Sequence, residues 1–176
     1  MSIFLRRLVG AAFHSTALVL AGAHGVLHAG FFGDPNENWV EDRYEMPAPP
    51  GEALRAYSPG GEAGHRYFID EASLAIGGDG VVRYVLVIEA SGGARNVTFE
   101  GLRCVTREHR IYATGRDDGS WQVVRESEWK PLFDNAYNRA RVALAKDILC
   151  DGPVPPRDRA DALRRLRSPQ GPSTGN

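Results

Sequence analysis

"GGDGVVRYVLVIEASGGARNVTFEGLRC", residues 77–104, decides the fold. Its first strand-like run, 81–90, carries two apolar sets. Val82, Tyr84, Leu86 and Ile88 point to one face; Arg83, Val85, Val87 and Glu89 point to the other. Apolar residues on both faces mark a central strand covered on both sides. Gly78-Asp79-Gly80, just ahead of it, supplies the positive φ angles that a tight hairpin needs. Ser91-Gly92-Gly93-Ala94 is the next turn. Working outward, 66–77 reads as the preceding strand and 95–106, 109–116 and 121–126 as the following ones. Asp117-Asp118-Gly119-Ser120 is a third turn. About five strands joined by short Gly turns make an antiparallel meander. The long crossovers of a parallel nucleotide-binding sheet are absent. In 95–106 the apolar phase shifts at Gly101, from Val97 and Phe99 to Leu102 and Cys104. A glycine at such a change predicts a β-bulge that swings Cys104 inward.

"NAYNRARVALAKDILC", residues 135–150, places Tyr137, Ala140, Leu144 and Ile148 on one stripe. Those steps of three and four predict an amphipathic helix, N-capped by Asp134 and stopped by Gly152 and Pro153. Arg139, Arg141 and Lys146 fall mostly off the stripe. Trp129 and Pro131 are expected to break the sheet before it. The helix should cover the face holding Tyr84, Leu86 and Phe99. The expected fold class is therefore α+β: a meander of about five strands with one C-terminal amphipathic helix on one face.

The first residues have the three-part layout of a secretory signal peptide. Arg6 and Arg7 precede an apolar run from Leu8 to Leu20, and Ala21-Gly22-Ala23 offers small residues for cleavage. We expect residues 1–23 to be removed, with cleavage after Ala29 as the other position. Residues 8–29 are also long enough for a retained inner-membrane anchor, although His and Gly interrupt them. "LAGA" at 20–23 has Ala23 where a lipoprotein box has Cys, so no lipid attachment is expected. The expected address is the periplasm of a bacterium, as a soluble protein. Cleavage removes two of the 21 basic residues and none of the 22 acidic ones, leaving a formal charge of −3. That is too mild to suggest nucleic-acid binding.

An exported chain lives where disulfides persist. Its two cysteines, Cys104 and Cys150, are most simply paired, closing a loop of about 46 residues worth about 4 kcal/mol. Zinc would need four ligands at paired spacings, and none adjoin either cysteine. A catalytic thiol would need a nearby His. His109 lies five residues from Cys104, an odd offset that points to the opposite face of a strand. The disulfide would pin the helix to the sheet.

Residues 31–64 are rich in Gly, Pro and acid. Pro47, Pro49 and Pro50 forbid a regular helix or central strand. Trp39, Tyr44, Leu54 and Tyr57 suggest an extended arm that lays aromatic rings on the domain (65–151); a disordered linker is the other reading. Residues 152–176 form a Pro- and Arg-rich tail. Ala160, Leu163 and Leu166 give it a marginal helical stripe, and such a short helix is barely stable alone. We expect a solvated tail. Its functional reading is weak contact with anionic lipid or with the acidic arm.

Ile69-Asp70, Ser73-Leu74, Gly77 and Asp79-Gly80-Val81-Val82-Arg83-Tyr84 form an ordered series. It continues through Asn96-Val97, Glu100-Gly101-Leu102-Arg103-Cys104, Tyr112-Ala113, Gly115, Trp121, Trp129, Asn138 and Cys150. In order and spacing this series resembles the CNP-like family, named for a cryptic neisserial protein. The resemblance covers about half the chain. It implies a small exported protein of Gram-negative bacteria with no assigned activity, so it lends no catalytic residues. Trp39 with its acidic, Pro-rich neighbours fits the same pattern, whereas the basic tail looks like an addition of this chain.

No nucleophile elbow, zinc-protease helix, P-loop or dinucleotide fingerprint occurs. Asp70 and Glu71 are adjacent, so on a strand they point apart and cannot form a carboxylate pair. Asp117-Asp118-Gly119 is better read as a turn than as part of a calcium loop. No catalytic residue, metal ligand or cofactor is expected. One constellation is chemical in character. The face opposite the helix should carry Arg83, Tyr112 and Glu89, joined by Arg103 and Arg110 according to where the bulge falls. Arginines so placed can hold a carboxylate or phosphate. The plain alternative is a half-solvated face with weak ion pairs to Glu89, Glu100 and Glu126. The expected function is a non-enzymatic binding or accessory domain of the cell envelope, its partner an envelope protein or anionic ligand. Two others stand beside it: an envelope hydrolase or transferase with an unrecognised site, and an accessory subunit that docks through arm or tail.

Overall fold

The computed structural model describes residues 33–60 and 64–168; the expected signal segment and both cleavage positions lie outside the described residues. Among these residues seven antiparallel strands form one sheet: β1 (Leu54–Tyr57), β2 (His65–Ile76), β3 (Val81–Ala90), β4 (Arg95–Arg103), β5 (Glu108–Gly115), β6 (Trp121–Val123) and β7 (Lys130–Pro131). The order is β1-β2-β3-β4-β5-β6, with β7 also paired to β5. The expected meander is present, extended at both ends. β1 lies in the stretch read as arm. β7 forms where Pro131 was expected to break the sheet; Pro131 pairs with Glu108 at the sheet margin, where a missing N–H is tolerated.

The hairpin before β3 forms as its glycines dictate. Gly80 sits at φ 77°, and Gly77 N–H donates to the Val81 carbonyl at 3.0 Å. Every residue from Val81 to Val87 is buried, which makes β3 the centre of two cores. One core holds Val82, Tyr84, Leu86, Leu102 and Cys104 under the helices. The other holds Val85, Val87, Phe99, Tyr112 and Ala113. Phe99 therefore belongs to the face away from the helices, contrary to expectation.

The expected bulge at Gly101 is absent from β4, which pairs with β3 without a break from Val81↔Arg103 to Glu89↔Arg95. Cys104 turns toward the helices by plain alternation. The apolar phase changes because a different layer covers each end of the strand. The irregularity lies in β5: Phe99 pairs with Ala113 and Glu100 with Ile111, so Tyr112 is the extra residue. A second irregularity interrupts β2 between Asp70 and Ala75. There the Ser73 hydroxyl accepts from Val85 N–H at 2.8 Å, replacing a lost ladder bond.

The helix expected over 135–150 is shorter and less regular. α1 spans Arg139–Ala143 with Asn138, not Asp134, at its N-cap, and continues as a π-helical turn, Leu144–Ile148. Tyr137 points outward, 74% exposed, and leaves the expected stripe. Arg141, expected on the polar side, is buried. The wide turn closes through Leu149 N–H to the Leu144 carbonyl at 2.7 Å and buries both Ile148 and Leu149. Cys150 then meets Cys104 with sulfurs 2.02 Å apart, a disulfide pair tying helix to sheet. His109 pairs with Leu102 and so shares the helix-covered face with Cys104; the chain turns at 104–107, which voids the odd-offset argument.

The tail needs the largest correction. Arg159–Arg167 forms a second helix, α2, capped by the Asp158 carboxylate, which accepts from Asp161 N–H at 2.7 Å. Ala162 and Leu166 enter the helix-side core. Arg159 donates to the Glu71 carbonyl at 2.8 Å, and Arg167 reaches the Glu71 carboxylate at 2.5 Å. Glu71 thus binds Arg167 and Arg55, and these hydrogen bonds hold its pKa down at about 2. α2 docks on the irregular part of β2, so packing supplies what its length could not. Residues 169–176 lie outside the described residues.

Candidate carboxylate-binding face

The face of β3–β5 away from the helices is lined by alternate residues. Arg83 comes from β3, Arg103 from β4, and Arg110 and Tyr112 from β5. The extra residue in β5 keeps Tyr112 on this face beside Phe99, with ring centroids 5.1 Å apart. Gly101 forms the floor. A Cβ there would collide with the Tyr112 hydroxyl and come within 2.9 Å of Trp129 Cη2, so only glycine leaves room for both rings.

The arm lies over this face, and Glu41 is its centre. Arg110 Nη1 donates to one Glu41 oxygen at 2.6 Å and Trp129 Nε1 to the same oxygen at 3.2 Å. The Tyr112 hydroxyl donates to the other oxygen at 2.5 Å and Arg83 Nη2 to it at 3.4 Å. Each carboxylate oxygen thus receives two donors, and charge-assisted bonds of this kind are the strong ones. Burial, then the hydrogen bond to Glu41, push the Tyr112 phenol well above its ordinary range, so it acts as a donor.

Arg83 is itself held. Its guanidinium binds the Asp79 carboxylate at 2.6 Å. Burial works to raise the Asp79 pKa, but hydrogen bonds from Arg83 and from the Val81 and Asp42 N–H groups outweigh it and hold the acid ionised. Asp42 and Asp79 cap one another: each N–H donates to the other's carboxylate, at 2.8 and 2.9 Å. Trp39 fills a second slot. Its ring lies 3.7 Å from the Arg103 guanidinium carbon, edge-on to Trp129 at 5.8 Å, and its Nε1 donates to the Asp79 carbonyl at 3.1 Å. Tyr44 stacks on Tyr112 at 4.2 Å. Trp121 Nε1 donates to the Pro47 carbonyl at 2.8 Å.

The structure thus gathers Arg83, Arg110 and Tyr112 on one carboxylate, while Arg103 serves the neighbouring aromatic slot with Asn36 and Glu108. Glu89 is elsewhere, paired with Arg66 and Arg95. Glu100 faces the helices and pairs with Arg141. Sequence reasoning missed Trp129, read there as a sheet breaker, and missed Glu41 as the group the arginines hold. An acid two residues beyond a tryptophan was the available signal. Among the described residues no three His, Cys, Asp or Glu side chains are grouped as a metal site requires. No helix there is long and apolar enough to cross a membrane.

A disulfide-linked α+β domain, with an acidic arm clamped across an arginine-lined sheet, is the architecture these observations define. The chain belongs to the CNP1-like family, which it matches over residues 34–167. It is 27% identical over 118 residues to Cryptic neisserial protein 1 of Neisseria gonorrhoeae (strain ATCC 700825 / FA 1090), covering 60% of this chain and 58% of that protein. The chain thus matches less than two thirds of that relative's length. The family match includes both arm and α2, so the tail is not an addition peculiar to this chain. No solved structure matches.

Proposed function

We propose that this is an exported periplasmic protein, a non-enzymatic binding or accessory domain of the cell envelope, and that its receptor is the clamp around Glu41. The export reading is supported by the signal-like leader and by the Cys104–Cys150 pair, which belongs in an oxidising compartment. One observation carries the binding reading. Among the described residues, every donor to the Glu41 carboxylate lies on the folded body and none on the arm. The body is therefore a preformed receptor for a carboxylate, held by the arm's own side chain.

The geometry favours carboxylate over phosphate. Two oxygens receive two donors each, whereas a phosphate would bring further oxygens that find no donor in this set. The test is chemical rescue. Glu41→Ala should leave the clamp empty and lower the melting temperature. Acetate should restore much of it, phosphate at equal ionic strength should not, and the native chain should respond to neither. Equal response to both anions, or to neither, would reject a carboxylate receptor. Mass measurement of the chain from its own envelope fraction tests export: a start at residue 24 or 30 supports it, an intact leader opposes it.

A further inference from the structure

We infer that the clamp takes an extended acidic peptide from a partner protein, and that the arm segment "NWVEDRYEMP", residues 38–47, is a resident stand-in for it. This rests on the carboxylate-receptor reading and names the ligand class. The recognised pattern is an aromatic residue, a glutamate two positions on, an aspartate next, and a second aromatic two further on.

Each element of that pattern has a slot built by the body. Trp39 lies between Arg103 and Trp129, and Glu41 in the four-donor clamp. Asp42 caps the Asp79 N–H, and Tyr44 lies over Tyr112 and Phe99. Between these anchors the arm points outward: Val40 is 77% exposed, and Arg43 is exposed. Arg83 and Arg103 are buried to within a few per cent, so the slots are walls of the domain.

The arm is held in a way that permits exchange. Its own backbone bonds are local, from Glu37 N–H to Asp34 and from Trp39 N–H to Asn36. Segment 38–47 adds no strand to the sheet, so its departure breaks no ladder bond. Its contacts with the body run through side chains and a few single carbonyl or N–H groups.

A second copy of this chain is the weaker occupant. Its arm would make the same contacts while competing with a tethered arm at an effective concentration of about millimolar. Hinge strain could favour such a swap, but residues 45–53 contain no residue with positive φ. A partner peptide that carries the pattern and adds contacts beyond it has the advantage.

The test uses the full chain bearing Glu41→Ala, with isosteric Glu41→Gln as a second variant should the first fail to fold. The probe is a fluorescent synthetic peptide of residues 38–47, read by anisotropy. The variant should bind it, and the native chain should bind at least about tenfold more weakly because its arm competes. A peptide with Gln in place of the central Glu should also lose about tenfold or more. Acetate rescue without peptide binding would overturn this inference and leave the carboxylate receptor standing. Failure of both would overturn both. A variant that dimerises and ignores the peptide would assign the clamp to a second copy and overturn the inference.

Discussion

Arg141 grips Glu100 through two parallel hydrogen bonds, Nε to one oxygen at 2.8 Å and Nη2 to the other at 2.5 Å. Glu100 is fully buried in β4, and Thr98 donates a third bond at 2.5 Å. Burial would lower the Arg141 pKa, yet the Glu100 carboxylate raises it above the ordinary value, so the guanidinium keeps its charge. Truncating one member strands the other charge. Arg141→Met should cost about 3–5 kcal/mol in urea unfolding. The double variant with Glu100→Leu should recover much of that loss, because desolvated ion pairs are often replaceable by apolar ones.

Gly101→Ala should destabilise the domain by about 1–3 kcal/mol, although alanine is the smallest possible change. The added methyl collides with the Tyr112 hydroxyl and crowds Trp129, two donors to Glu41. Tryptophan fluorescence should shift as the arm loosens. An alanine variant with native stability and an unchanged spectrum would contradict the floor assigned to this glycine.

Reduction, or replacement of Cys104 and Cys150 by Ser, opens a cross-link spanning 46 positions. Stability should fall by about 2–4 kcal/mol, the usual range for a disulfide, with the upper end expected for a loop this long. Thermal melts with and without reductant measure it. The Ser variant should melt at one temperature under both conditions.

His109 makes acid a selective stress. Burial, then the Arg141 charge, lower its pKa below 6.5, with Glu100 opposing and Lys130 adding to the effect. Between its folded pKa and 6.5 the unfolded chain binds a proton that the folded chain refuses. This stabilising contribution is therefore complete above pH 6.5 and declines as pH falls, by up to about 1.4 kcal/mol per unit. His109→Gln should flatten the dependence of melting temperature on pH below 6.5. An unchanged slope would show that other groups set the acid sensitivity.

The meander was legible because alternation in 81–90 and the Gly turns state it locally. On the arginine face, strand alternation puts Arg83 with Tyr112, whereas Arg103 and Arg110 were tied to a bulge at Gly101 that β4 does not have. Four things were not legible. β1 and β7 are two- to four-residue strands whose pairing is conferred by their neighbours. α2 owes its order to Glu71 and to core contacts distant in sequence. The phase change at Gly101 was misread because a strand covered by an arm at one point and a helix at another mimics a bulge. Arg141 looked like a surface residue because its partner, Glu100, lies on another element.

Six of the strands form an unbroken series, each paired with the next in sequence and joined by connections of a few residues. Such a sheet has low contact order, and its hairpins can zip in turn as the chain becomes available. The cysteines behave differently. Cys104 leaves the sheet with β4, but Cys150 reaches it only after α1 and the π turn have settled on the core. Native oxidation therefore waits for the first helix to dock on the sheet, and formation of the cross-link becomes a timestamp for that docking.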